Sequence, residues 1–140
     1  MTVKTFQQGV FLPHYKEYSE DKPIVTVPLP KEVVIPMQQH IGAPCSPIVQ
    51  VGDEVRVGQL IGEPGGFVSA PVHSSVDGTV IAVEPRPHFN GTNVMGVVIE
   101  VADEQSDPGW QERDIWALSV DEIKEAIKDA GIVGMGGATF

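Results

Sequence analysis

Three groups of residues in this 140-residue chain have types and spacings that chemistry can use. The first is the run Gly131-Ile-Val-Gly134-Met-Gly136-Gly137-Ala138-Thr139-Phe140. Glycines let backbone amides come close to a phosphate, and a helix starting just after them would add the positive end of its dipole. Here the sequence stops inside the motif, so residues 1–140 read as the front part of a longer protein. The second group is His40 with Cys45. An imidazole and a thiolate both bind zinc, but two ligands are too few for a structural site, and His73 and His88 complete a set only if the fold gathers them. The expectation is ordinary turn and core roles for these four residues and no metal. The third is Arg86 with His88, inside Glu84-Pro-Arg-Pro-His-Phe-Asn-Gly91. They offer a cationic site in an otherwise acidic chain, although the plainer reading is the polar tip of a long hairpin loop. No residue is assigned a catalytic role.

The elements that must position these groups are mostly short strands. From Ile48 to Val80, valines at 49, 51, 55 and 57 are interleaved with polar residues, with Gly52-Asp53 and Gly58-Gln59 where the chain must turn. Alternation of this kind gives a strand one dry and one wet face. Asp77-Gly78 reads as a short hairpin dipeptide, and Asn90-Gly91 returns the chain into the strand Val94–Val101. Val33–Pro36 reads as the first strand. A weak duplication, Ile41-Gly-Ala-Pro44 and Val68-Ser-Ala-Pro71, points to two related halves. The expected fold is mainly β, a small flattened barrel-sandwich hybrid with an N-terminal strap and one C-terminal α-helix.

Four segments are expected. Residues 1–32, broken by Gly9, Pro13, Pro23, Pro28 and Pro30, form a strap packed over the barrel. Residues 33–101 form the barrel. Residues 102–118 are a polar linker that Trp110 and Trp116 anchor onto a neighbouring surface. Residues 119–140 hold a helix and the glycine loop. Ser119 and Glu122 form a capping box, Ile123, Ala126, Ile127 and Ala130 an apolar stripe, and Gly131 the helix stop. So short a helix needs a partner surface for that stripe.

Composition excludes several functions. A net charge of −10 with 9 Lys and Arg argues against nucleic acid and against docking on an anionic membrane. No apolar run reaches the roughly 20 residues that span a bilayer, so direct membrane insertion is not expected, and the start lacks the apolar core of a signal peptide. The lone Cys45 excludes an internal disulfide and an all-cysteine cluster within these residues.

Two resemblances follow. Val51-Gly-Asp-Glu-Val-Arg-Val-Gly-Gln-Leu-Ile-Gly-Glu63, followed by Ser69-Ala-Pro71 and Asp77-Gly-Thr-Val80, resembles the biotinyl/lipoyl domains. Those carry their cofactor on a lysine at a hairpin tip, which here reads Glu63-Pro-Gly-Gly-Phe67. No lysine occurs between Lys31 and Lys124, and without the amine there is no amide link, so a swinging-arm role is ruled out.

The second resemblance covers essentially the whole chain. Gly9-Val-x-x-Pro13, Pro28-Leu-Pro-Lys31, Gln39-His-Ile-Gly-Ala-Pro44, Gly66-Phe-Val-Ser-Ala-Pro-Val-His-Ser-Ser-Val76, Glu84-Pro-Arg-Pro-His88 and the glycine run 131–140 together resemble the N-terminal part of RnfC, a subunit of the Rnf electron transport complex. That resemblance implies a membrane-associated, ion-translocating ferredoxin:NAD oxidoreductase, with this subunit peripheral on the cytoplasmic face of the cell membrane and the other Rnf subunits as partners. It implies a downstream domain that binds FMN and NADH, and beyond it two 4Fe-4S clusters. Gly134, Gly136, Gly137, Ala138 and Phe140 match the flavin motif, with Thr139 where the familiar form has glycine. The expected role is a non-catalytic docking module that holds no cofactor of its own, with ferredoxin docking elsewhere because it is usually acidic too. The alternative is a stand-alone barrel that binds a small molecule, or a carrier-like one without its lysine; a metal-dependent enzyme using the histidines and Cys45 is the third reading.

Overall fold

The computed structural model describes residues 13–136 and residue 139. Within them seven strands and one helix follow one another: β1 Glu32–Pro36, β2 Ser46–Pro47, β3 Glu54–Val55, β4 Leu60–Glu63, β5 Val72–His73, β6 Gly78–Pro87, β7 Asn93–Val101 and α1 Val120–Asp129. They form two antiparallel sheets, one ordered β1-β7-β6-β3 and the other β2-β4-β5. Met37, Val55, Ile61, Val80, Val97 and Ile99 are fully buried or nearly so and fill the space between the sheets. Alternation explains the selection. Val97 and Ile99 point inward, while Gly96 and Val98 lie on the opposite face of β7. Where β6 crosses β7, a bulge between Val80 and Ala82 resets the register, so Ile81 is left largely exposed.

The turns follow the glycines. Gln50–Asp53 and Arg56–Gln59 are the same device twice. Gly52 and Gly58 have φ of +97° and +79°, a region that L side chains avoid. In each turn the fourth side chain folds back on the first amide: Gln50 N–H donates to Asp53 Oδ2 at 2.9 Å and Arg56 N–H to Gln59 Oε1 at 3.0 Å. The β6–β7 hairpin closes at Asn90-Gly91, with Gly91 at φ +83° and Asn90 Oδ1 accepting from the Thr92 amide at 3.0 Å.

Asp77-Gly78 does not make a hairpin. The residues before it belong to β5 in one sheet and those after it to β6 in the other, so the chain changes sheet here instead of reversing within one. Gly78 is needed for a different reason: a Cβ would collide with the Glu100 carbonyl oxygen on the paired strand. Asp77 is a junction. Its carboxylate accepts from the Val57 amide and the Ser106 amide, each at 2.6 Å, and its own amide donates to Gln105 Oε1 at 2.7 Å.

The strap and the tryptophans also depart from expectation. Residues 13–31 are exposed throughout, so the described part of the strap is not packed over the barrel; the first twelve residues lie outside the described ones. Only its end, Leu29–Lys31, lies beside β6 and β7, where the Val101 amide donates to the Lys31 carbonyl at 3.0 Å. Trp110 does reach the barrel, its ring 3.1 Å from where a Gly58 Cβ would stand. Trp116 points to solvent.

The helix is as its sequence requires. Ser119 accepts from the Glu122 amide and the Glu122 carboxylate reaches back to the Ser119 amide, completing the capping box. At the other end Gly131 has φ +67°, with Gly131 N–H on Lys128 O at 2.9 Å and Ile132 N–H on Ile127 O at 3.3 Å, the paired bonds of a Schellman stop.

Hydrogen bonds from the Ser106 and Val57 amides hold the Asp77 carboxyl below its usual range. A carboxyl depressed in the folded state adds stability that is present above its unfolded pKa, near 4, and is lost as pH falls through the folded value. The melting-temperature advantage of the native chain over Asp77→Asn is therefore expected to be constant from pH 7 to about 4.5 and to shrink below about 4. An advantage unchanged down to about pH 2 would show that the carboxylate charge does not matter.

Candidate functional site

The repeated Ala-Pro hooks meet face to face. Ala43 N–H donates to the Val68 carbonyl at 3.0 Å, and Ser69 Oγ–H donates to the Ala43 carbonyl at 2.9 Å. His40 and Cys45 seal this crossing. The Ala70 amide donates to His40 Nε2 at 3.0 Å, which makes Nε2 the unprotonated nitrogen, so Nδ1–H donates to the Ile41 carbonyl at 2.7 Å. The Cys45 thiol donates to the Ala70 carbonyl at 2.9 Å. Both side chains are buried, and burial pushes the Cys45 thiol up, against a smaller opposite effect from Ser69. It is a poor nucleophile as placed. Gly62 lies beneath, where a Cβ would come within 2.7 Å of Met37 Sδ and 3.2 and 3.3 Å of the Cys45 and Val72 Cβ atoms.

The four zinc-capable residues are not gathered. His40 and Cys45 meet at Ala70, whereas His73 and His88 line a groove elsewhere. Among the described residues no three His, Cys, Asp or Glu side chains are placed to hold a metal ion.

Beside the hooks lies an apolar seam of about 350 Å³. Ile41, Phe67 and Val68 form one wall, and Ile127, Ile132 and Val133 at the end of α1 form the other. The helix comes to rest here because Gly131 abuts the second hook: a Cβ on it would strike the Pro71 carbonyl. The apolar stripe is only partly covered. Ile123 and Ala126 are half-buried, while Ile127 and Ala130 stay exposed, and no helix residue is fully buried. Phe67, at the tip where carrier domains have their lysine, is fully exposed. Sequence reading passed over Phe67, although an aromatic after Pro-Gly-Gly at a hairpin tip has no neighbour to bury it.

Of the glycine-loop residues, Gly134 and Gly136 are described, while Gly137, Ala138 and Phe140 lie outside the described residues. The described part forms no phosphate cradle. A Cβ on Gly136 would meet no atom within 4 Å, and Met135 points to solvent. The site as it stands does not fit FMN, and no chemistry follows from it here. Thr139 has φ +54°, the left-handed conformation that a glycine adopts freely and a β-branched residue resists. That accounts for glycine in the familiar motif. The Ile41 amide donates to the Thr139 carbonyl at 3.4 Å, so the loop folds back toward the first hook.

The second feature is a groove of about 640 Å³ where the β6–β7 hairpin leaves the barrel. Arg86 and His88 meet there with His73, Gln39 and the β1 residues Val34–Pro36. Its low floor is Gly96, where a Cβ would stand 3.2 Å from Val34 Cγ1 and 3.8 Å from Arg86 Cβ. A glycine inside a strand is the signal that could have located it.

The crossing hooks, the two sheets and the tip without lysine define a barrel-sandwich hybrid that has kept the carrier fold and lost the carrier chemistry. The chain belongs to the RnfC family: the model described as RnfC barrel sandwich hybrid domain matches residues 4–105. It is 50% identical, over its whole length, to the RnfC subunit of the Na(+)-translocating ferredoxin:NAD(+) oxidoreductase complex of Acetobacterium woodii. It is 45% identical over 99% of its length to the corresponding subunit of the proton-translocating ferredoxin:NAD(+) oxidoreductase complex of Clostridium ljungdahlii. The corresponding subunit of the ion-translocating oxidoreductase complex of Pseudomonas aeruginosa is 40% identical over 96% of the chain. The chain spans 32%, 31% and 18% of those three relatives.

His40→Ala removes the acceptor of the buried Ala70 amide and the donor to Ile41, and leaves a void. It is expected to cost about 2–4 kcal/mol in urea unfolding. A loss below about 0.5 kcal/mol would show that the hook crossing does not depend on this imidazole.

Proposed function

We propose that the chain acts as the N-terminal docking and structural module of an RnfC subunit in a membrane-associated, ion-translocating ferredoxin:NAD oxidoreductase complex, and that it is itself non-catalytic. The observation that carries this reading is the open seam between the hooks and α1. A ten-residue helix with a capping box, a Schellman stop and an uncovered apolar stripe is built to be packed on by something else. The relatives continue for about two-thirds of their length beyond the matched region. The downstream part of the subunit is the natural cover, and α1 is its first element.

In this reading the barrel is a rigid foot for an FMN- and NADH-binding domain, followed by two 4Fe-4S clusters. Gly134, Gly136, Gly137, Ala138 and Phe140 take up the FMN phosphate only when the following chain supplies the rest of the cradle. NADH and ferredoxin react at the level of the complex. The other subunits hold this one at the cytoplasmic face, since no described helix is long and apolar enough to cross a membrane.

The test is calorimetric titration of FMN and of NADH into residues 1–140 and into the same chain extended through the downstream domain. Binding to the extended chain alone is the expected result. Stoichiometric binding to residues 1–140 would overturn the reading in favour of a self-contained small-molecule barrel.

A further inference from the structure

The groove at the root of the β6–β7 hairpin has unmet hydrogen-bonding capacity. Both ring nitrogens of His88 are shielded from solvent without a hydrogen-bond partner among the described residues. The ring instead lies against Phe89, centroids 4.1 Å apart. A buried polar group left in this way costs about 1–3 kcal/mol, which a partner that hydrogen-bonds the imidazole would return. Arg86 is also incompletely engaged. Its Nε lies 3.0 Å from Glu84 Oε1, yet the alignment is not that of a hydrogen bond. Among the described residues Glu84 is its sole ion-pair partner, which leaves the fork of terminal nitrogens for a second carboxylate. Arg86 and Arg56 are the only Lys or Arg residues between Glu32 and Glu112, so the position of this charge is not a general feature of the surface.

The surroundings identify the kind of ligand. Phe89 is 88% exposed and Val34 40% exposed on either side of the cationic pair, and Gly96 keeps the floor between them low. An exposed aromatic and an arginine around a recess are the composition of a protein-interface anchor. A free anion would gain nothing from Phe89, and one arginine already facing Glu84 is weak provision for a phosphate. We infer that this groove receives a segment of another, resident subunit of the complex, whose Asp or Glu carboxylate binds Arg86 and His88 while its apolar neighbours cover Phe89 and Val34. The His88 ring turns from Phe89 into the groove as the segment enters. The inference rests on the docking role proposed above, and it assigns that role a face distinct from the seam beside α1.

The test uses the full-length subunit in the purified complex, with no ferredoxin added and with p-benzoylphenylalanine in place of Phe89. Irradiation and mass spectrometry are expected to give a cross-link to a second subunit, within a few residues of an Asp or Glu. Arg86→Glu is expected to reduce the product about tenfold, and changing the identified acid to Arg in the same background to restore it. His88→Ala, which removes a ring without a hydrogen-bond partner among the described residues, is the second variant and reduces it as well. Cross-links confined to the subunit itself, a partner segment without a carboxylate, or a yield indifferent to Arg86→Glu would each overturn the inference. So would saturable shifts of the His88 ring signals with inorganic phosphate at micromolar concentration, since the ligand would then be a free anion. Failure of the unsubstituted subunit to co-purify with the complex would instead remove the docking role itself, so the two failures are distinguishable.

Discussion

The structure depends on one crossing. Where the two Ala-Pro hooks meet, the Ala70 amide and carbonyl are held by His40 and Cys45, and the Ala43 amide and carbonyl by Val68 and Ser69. Each hook leads into a short strand, β2 after the first and β5 after the second, and these flank β4 from opposite sides. A sheet whose outer strands are two residues long cannot hold itself by ladder bonds. The buried polar crossing fixes its register instead, and Gly62 lets the three layers approach. The residues that looked most like metal ligands are therefore spent on the fold.

The same crossing explains what the barrel presents. In carrier domains the tip beside the second hook holds a lysine and swings; here it holds Phe67, exposed and next to the end of α1. A cofactor arm has been exchanged for an apolar contact. Gly131 brings the helix down on Pro71, so the tip, the hooks and the helix end form one continuous surface, with the glycine loop leading away from it. The Arg86 groove differs in chemistry: partly polar, built on the projecting hairpin, and independent of the seam.

Local rules were the legible part. The capping box at Ser119, the left-handed Gly131 and the turns at Gly52, Gly58 and Gly91 could all be read because each is decided within four or five residues. The hooks were visible only as a four-residue echo, since their meaning lies in contacts about thirty residues apart. Asp77-Gly78 misled because its dipeptide chemistry is that of a hairpin, while the demand on Gly78 comes from Glu100 on another strand and that on Asp77 from Val57 and Ser106. Trp116 was expected to anchor the linker, but burial depends on a neighbour that no local pattern supplies. The groove escaped notice for the same reason, because its walls come from β1, β6 and β7 and only the register of the sheet unites them.

The central claim is that α1 is an element waiting for cover. Hydrogen–deuterium exchange of residues 119–132 compares it directly in this chain and in the full-length subunit. The account expects these amides to exchange within seconds to minutes in the short chain, as a ten-residue helix without a buried side chain should. In the full-length subunit their protection rises toward that of β6 and β7. Equal protection in both would contradict it, because α1 would then already have all the packing it requires.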